Sequence, residues 1–290
     1  MRQQKLTFRV GAACLLSLSS LLALSAQAQV VTLSNLNSSA TINLGGTPST
    51  AGMTDWTTDG YHNLSQQWFW FRADGMTHED TINTIGGLNY TASPDGRTLY
   101  TSYFNGQYGV RVDYLLTGFA GGSGISDISE NISITNATAN PLEFHFFQYS
   151  DFKLGGSPQN TIVQLGRNLR GLFNEASLDK TDPAFRVSLS ETVVSPGANH
   201  GEAAINGATF GRLTDSLPTT LNDNAGPVGG GITDPTWAFE WDFIIAPGSS
   251  VGISKDKYLQ VVPIPEPATA ALVGLGAAAL LIWYRRRNDY

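Results

Sequence analysis

Apolar and polar side chains alternate with a period of two over much of the chain between residues 29 and 262. Ile132 and Ile134, for example, fall on one face of an extended segment, because side chains two apart in a strand point the same way. We predict strands at 67–72, 98–104, 108–119, 128–136, 142–152, 185–194 and 236–245. Closely spaced strands without a sustained helical period are typical of an antiparallel β-sandwich, so we predict an all-β fold.

The stretches between these strands give weaker signals. TNATANP at 135–141 predicts the turn of a hairpin between two of them. Leu165, Leu169 and Leu172 approximate a helical face, so we expect one short helix within 164–177. Loop 150–160 follows a strongly aromatic strand, and loop 221–235 is rich in Gly, Pro and Asp. Such loops either hold functional residues on a β scaffold or are irregular surface connections.

The first 28 residues have the organisation of a secretory signal peptide. Basic residues near the start precede an apolar run over 10–24, and Ala26-Gln27-Ala28 supplies the small residues that signal peptidase accepts. We expect cleavage between Ala28 and Gln29. The alternative is an N-terminal membrane anchor, for which the apolar run is short.

A second apolar segment lies at the other end of the chain. Residues 268–284 contain no charged side chain, and Arg285, Arg286 and Arg287 follow directly. An uncharged run ended by arginines predicts a transmembrane helix with the basic end inside the cell. A buried core helix is the alternative.

Pro265-Glu266-Pro267, the apolar span and the arginines occur in the order that resembles the PEP-CTERM sorting signal. The resemblance implies a Gram-negative bacterium that makes exopolysaccharide, and an exosortase partner that processes the chain near Pro-Glu-Pro. It also implies an inner-membrane anchor that is transient, followed by release to the cell envelope or extracellular matrix. We therefore divide the chain into a signal peptide (1–28), a β-sandwich ectodomain (29–262) and a sorting signal (263–290).

Composition narrows the chemistry of the ectodomain. The only cysteine, Cys14, lies in the signal peptide, which excludes disulfides and thiolate sites from the exported part. Without both ends the chain keeps 11 basic and 22 acidic residues, a net charge of −11. Such a charge argues against nucleic acid as a partner.

Catalytic and metal-binding motifs are not evident. The four histidines (His62, His78, His145 and His200) are scattered without metal-ligand spacing, and we expect His145 to pack at a sheet surface. We assign no catalytic residue and no cofactor. Asp74, Glu79 and Asp80 offer oxygen ligands for a possible Ca²⁺ site, with a solvated loop as the alternative.

The stretch SITNATANPLEFHFFQYSDFKLGG at 133–156 resembles a strand-turn-strand segment of galactose-mutarotase-like β-supersandwich proteins. In that family a catalytic histidine lies six residues after the proline, at the position that Phe147 occupies here. The resemblance therefore argues against epimerase activity and leaves sugar binding open.

Tryptophans are the most suggestive binding residues. Trp68, Trp70, Trp237 and Trp241 are candidate glycan contacts, because exposed aromatic faces suit sugar rings; core packing is the alternative. We thus predict an exported envelope or matrix protein that is non-catalytic and either structural or carbohydrate-associated. A secreted carbohydrate-active enzyme that uses acidic residues is the alternative, because carboxylate pairs cannot be located by sequence spacing.

Overall fold

The computed structural model describes residues 29–181 and 185–263. In chain order the strands are Val30–Asn35 (β1), Ser38–Asn43 (β2), Gly52–Thr58 (β3), Tyr61–His62 (β4), Leu64–Ala73 (β5), Asp80–Thr81 (β6), Asn89–Ala92 (β7), Thr98–Phe104 (β8), Tyr108–Gly118 (β9), Ile125–Asn136 (β10), Leu142–Phe152 (β11), Thr161–Arg167 (β12), Phe173–Thr181 (β13), Phe185–Ser195 (β14), His200–Ile205 (β15), Val228–Gly229 (β16), Pro235–Ile245 (β17) and Ser250–Pro263 (β18). The helical elements of this part are Ala208–Leu213 (α1) and the 3-10 turns Ile82–Ile85 and Leu154–Gly156.

The strands form two antiparallel sheets of nine strands each. Sheet A has the order β1-β2-β3-β5-β11-β17-β15, with β4 beside β3 and β6 beside β5. Sheet B has the order β16-β12-β13-β14-β18-β10-β9-β8-β7. This arrangement confirms the all-β, antiparallel prediction, and each of the seven predicted strands coincides with an observed one.

Two local predictions are wrong. The expected helix within 164–177 is a hairpin of β12 and β13, whose turn is closed when the Asn168 Oδ1 atom accepts hydrogen bonds from the amides of Arg170 and Leu172. The turn at 135–141 exists, but it joins β10 in sheet B to β11 in sheet A, so it is not a hairpin. The Asn136 side chain donates to the Asn140 and Ile245 carbonyls, which fixes this passage between the sheets.

The main core lies between the sheets and is rich in aromatic residues. Phe69 and Phe146 of sheet A stack with ring centroids 5.4 Å apart, and Phe71 and Phe144 stack at 5.5 Å. Ile134, on sheet B, is fully buried. Burial of this apolar surface is the dominant stabilising contribution to such a fold.

A charged network also lies in this core. Lys255 and Lys257 of β18 contact Glu130 of β10 at 2.6 and 2.7 Å, and all three side chains are inaccessible to solvent. Glu191 of β14 accepts a hydrogen bond from the Trp237 indole of sheet A at 2.9 Å. Buried charges are tolerated when they are paired, and here two lysines face two glutamates.

Sheet A is buried on its outer face as well, because residues 207–223, which we call the covering segment, cross it. The Phe210 ring packs 6.0 Å from Trp70 and 5.6 Å from Tyr149, both on the outer face. This second layer explains why the central strands of sheet A are apolar without clear alternation.

No helix in the described part of the chain is long and apolar enough to cross a membrane. The predicted span at 268–284 and the signal peptide lie outside the described residues, as do Ala26 and Ala28 at the predicted cleavage site. Gln29 is the first residue that is described.

Candidate functional site

The outer face of sheet A carries a compact group of ionisable side chains, which we call the His145 cluster: His145, His200, Glu240 and Asp242. The strand register produces it, because His145 of β11 is directly opposite Asp242 of β17, and His200 of β15 is opposite Glu240. Side chains opposite each other on one face of a sheet lie within contact distance. Residues far apart in sequence therefore meet at one point.

His145 is the centre of the cluster. Its Nδ1 atom lies 2.6 Å from Asp242 Oδ1, and its Nε2 atom lies 3.0 Å from Glu143 Oε1. The hydrogen bond to Asp242 and the nearby carboxylate of Glu240, opposed by desolvation, raise the pKa of His145 to about 10. The same bond lowers the pKa of Asp242. The imidazole is consequently a cation at neutral pH.

Glu240 is fully buried beside this cation. Its Oε2 atom accepts a hydrogen bond from the Leu221 amide at 2.8 Å, whereas Oε1 has no hydrogen-bond partner and lies 3.7 Å from His145 Nδ1. Burial raises the pKa of Glu240. A buried carboxylate oxygen that accepts no hydrogen bond is unusual, because its desolvation is only partly compensated.

The covering segment is attached to this face through buried carboxylates. The amides of Thr219, Leu221 and Asn222 donate to three buried glutamates, two in strands of sheet A and one directly before β6, with distances between 2.8 and 3.0 Å. Two of these acceptors are Glu79 and Glu202. The loop 221–235, predicted as a possible functional loop, thus begins at the cluster, and its Asp223 lies 3.1 Å from His200 Nδ1.

The four tryptophans that were predicted to contact glycans are buried. Trp68, Trp70, Trp237 and Trp241 are each at most 1% exposed. Trp237 donates into the core to Glu191, and Trp70 lies under Phe210. These rings pack in the interior. The prediction of an exposed tryptophan surface is therefore wrong, and the alternative, core packing, is correct.

The residues proposed for Ca²⁺ do not come together as one cluster. Glu79 is buried and accepts from the Arg72 Nε atom at 2.9 Å, whereas Asp74 is exposed. Asp80 lies 3.8 Å from His78 Nε2. Calcium binding by this loop stays a prediction.

Sheet B offers a different exposed aromatic. Tyr100 of β8 is 44% exposed and lines a shallow groove of about 130 Å³ near the edge strand β7, together with Asn89, Tyr90, Ser102 and Arg111. The Arg111 guanidinium lies 5.6 Å from the centre of the Tyr100 ring. We call this feature the Tyr100 groove.

Comparison with known proteins supports the sorting signal. Residues 263–287 match the PEP-CTERM protein-sorting motif, which confirms that resemblance. Pro265, Glu266, Pro267 and the three arginines fall within the match but lie outside the described residues. No curated protein sequence matches the chain.

Comparison with solved structures finds similarity at low sequence identity. A bacterial glucoamylase complexed with acarbose has a TM-score of 0.49 and 11% identity over 86% of this chain, which spans only 36% of that protein. A putative aldose 1-epimerase from Escherichia coli K12 has a TM-score of 0.46 and 12% identity, with 81% of this chain and 99% of that one covered. A galactose mutarotase-like protein from Lactobacillus casei ATCC 334 has a TM-score of 0.42 and 10% identity, covering 81% and 100%. The neighbours thus include the family that segment 133–156 resembles, and at these scores they carry no argument about activity.

Proposed function

We propose that this chain is exported, sorted by an exosortase, and delivered to the envelope or extracellular matrix, where its ectodomain associates with carbohydrate without turning it over. The sorting motif carries the first part of the proposal. It begins at Pro263, which is also the last residue of β18.

The position of β18 explains why processing would leave the ectodomain intact. This strand is central in sheet B and pairs with β14 on one side and β10 on the other. Pro265-Glu266-Pro267 begins two residues after the end of this strand. A cut at this point removes no residue of the strand.

Processing can be tested by the intact mass of the protein from its native host. We expect a mature product that begins at Gln29 and lacks the apolar tail, and a product that keeps the tail in a host without exosortase. Replacement of Pro265 and Pro267 by Ala should leave the tail uncut, whereas Pro247→Ala, an exposed proline outside the motif, should be processed normally. A native product that still ends at Tyr290 would contradict the proposal.

The Tyr100 groove supports the carbohydrate part of the proposal. An exposed tyrosine ring can stack on a sugar face, and the neighbouring Arg111, Asn89 and Ser102 can bind its hydroxyl groups. The groove replaces the buried tryptophans as the candidate contact surface. Its shallow shape suits a polymer that lies along the sheet edge.

Affinity electrophoresis of the full-length chain in detergent, in gels containing a neutral or an acidic polysaccharide, tests this surface. We expect Tyr100→Ala to lower retention by about tenfold in apparent affinity, equivalent to about 1.4 kcal/mol. Tyr258→Ala is the matched control, because Tyr258 is a tyrosine of sheet B with a similar exposure of 40% outside the groove. Because the ectodomain is acidic, we expect retention by the acidic polymer to require Ca²⁺ and to disappear with chelator. Equal retention of both variants would exclude the groove.

A secreted carbohydrate-active enzyme is the second candidate, and the His145 cluster favours it. A histidine cation beside two carboxylates supplies the group types that acid and base catalysis on sugars requires. Incubation with the same polysaccharides distinguishes the two functions. Release of shorter or modified glycans, lost in Asp242→Asn, would favour the enzyme.

A further inference from the structure

Three donor atoms of the His145 cluster have the spacing of ligands around one metal ion. His145 Nδ1 lies 2.6 Å from Asp242 Oδ1 and 3.7 Å from Glu240 Oε1. Ligand atoms of all three residues lie within 4.8 Å of one another, and within residues 29–181 and 185–263 no other group of His, Cys, Asp and Glu does so. Tetrahedral Zn²⁺ with bonds of about 2.1 Å holds its ligands about 3.4 Å apart. The two observed distances, 2.6 and 3.7 Å, lie on either side of that value.

The Glu240 Oε1 atom, which accepts no hydrogen bond and lies 3.7 Å from His145 Nδ1, is a second indication of a missing ligand. Glu240 is 0% exposed, and its Oε1 atom has no hydrogen-bond partner although Oε2 is bound by the Leu221 amide. The Oε1 atom is the one that faces His145 and Asp242. A cation at this point would compensate the desolvation of the carboxylate.

His145 is oriented as a metal-binding histidine usually is, and the neighbouring His200 contacts Asp242. His145 directs Nε2 to Glu143 and Nδ1 to Asp242, and His200 directs Nδ1 to Asp223. His200 Nε2 then lies 3.6 Å from Asp242 Oδ2. A ligand histidine ordinarily donates its second ring N–H to a carboxylate, which fixes the ring and its tautomer.

The charges and the accessibility of the cluster also suit a cation. Four carboxylates surround the point (Glu143, Asp223, Glu240 and Asp242), and Arg72, the nearby guanidinium, is already paired with Glu79. The His145 and Asp242 side chains are 17% and 33% exposed, so an ion can enter from solvent. Imidazole among the donors favours Zn²⁺ over Ca²⁺ or Mg²⁺, which prefer oxygen ligands.

We propose that His145, Glu240 and Asp242 form a Zn²⁺-binding site on the outer face of sheet A, with the fourth coordination position open to solvent. In the metal-free chain a proton on His145 bridges the imidazole and Asp242, and the metal replaces that proton. The site links β11 and β17 and, through Leu221, the covering segment. It is independent of the sorting signal and of the Tyr100 groove.

Isothermal titration calorimetry of the full-length chain, stripped with EDTA and held in detergent, tests the site with Zn²⁺ as the probe. We expect one Zn²⁺ per chain at the cluster and a rise in melting temperature, with Ca²⁺ at least tenfold weaker. Asp242→Asn and Glu240→Gln should each weaken Zn²⁺ binding by tenfold or more, because each removes a ligand charge. Asp113→Asn is the matched control, because it makes the same change on sheet B, remote from the cluster.

Several results would overturn the site. These are an absence of Zn²⁺ binding, binding that Asp242→Asn and Glu240→Gln leave unchanged, or equal affinity for Ca²⁺. Asp242 is partly exposed, so its variant is expected to fold even if loss of the Glu240 charge disturbs the covering segment. Circular dichroism of the metal-free variants separates lost binding from lost fold. X-ray absorption at the zinc edge should show nitrogen and oxygen ligands without sulfur, since the exported part has no cysteine.

Discussion

Ile134 is a residue at which burial and stability can be related directly. It lies on the inner face of β10 with no exposed surface, and its replacement by Ala should lower the free energy of unfolding by about 2 to 4 kcal/mol. The loss combines the transfer of the removed methyl groups with the cavity left behind. Denaturant unfolding measures it, and a loss below about 0.5 kcal/mol would place this face outside the core.

Ser133→Ala is the appropriate control for that measurement. Ser133 precedes Ile134 on the opposite, partly exposed face of β10. We expect a change of at most about 0.5 kcal/mol, because surface substitutions away from special features are usually near neutral.

Residue chemistry at the candidate site was only partly predictable. His145 was expected at a sheet surface, and it lies there, but its partners come from β15 and β17, about 55 and 95 residues later. The sequence EWD at 240–242 contained a usable signal, because two carboxylates two apart in an aromatic strand share a face. Which histidine they meet depends on strand order, which alternation does not specify.

The tryptophans show the complementary difficulty. A pattern such as QWFWFR is equally compatible with an exposed binding face and with a strand that is buried on both sides. Here the covering segment buries the second face, and Phe210 takes the position over Trp70 that a ligand would need. The sequence of β5 alone contains no sign of that distant segment.

At the scale of elements, strands with dense aromatic or branched residues were predicted well. Both β8 and β11 begin and end at the predicted residues. The strand β18 was not predicted, because it carries Lys255 and Lys257 on its inner face. Charged residues normally argue against burial. The glutamate partners of these lysines lie on β10 and β14. The burial of the lysines can therefore be understood only when the strand pairing is known.

The helix expected within 164–177 failed for a related reason. Leucines at 165, 169 and 172 match a helical period, but Leu165 and Phe173 are buried as strand residues on either side of a tight turn. Asn168 and Gly171 form that turn, and both residues favour turns over helix interiors. Whether a short apolar pattern forms a helix or a hairpin therefore depends on the turn residues within it.

At the scale of the whole molecule, protonation of one carboxyl pair should influence stability. Asp127 of β10 and Asp256 of β18 lie on adjacent strands of sheet B. Burial, together with the charge and hydrogen bond of Asp256, raises the pKa of Asp127 to about 7. The folded protein therefore keeps a proton that the unfolded chain, with a carboxyl pKa of 3.8, releases.

The sign of the resulting pH dependence follows from that difference. The folded state binds the extra proton between pH 3.8 and about 7, so its contribution to stability is complete below that window and is lost as the pH rises through it. Asp127→Asn cannot titrate, and we expect it to remove a decrease in melting temperature on the order of 5 °C between pH 4 and 7. Thermal unfolding with EDTA present, at several pH values, measures the effect, with Asp113→Asn as a control carboxylate of the same sheet. If Asp127→Asn and the unmodified chain lose stability in parallel over this range, the Asp127–Asp256 pair does not share a proton, and the pH dependence of this acidic ectodomain arises elsewhere.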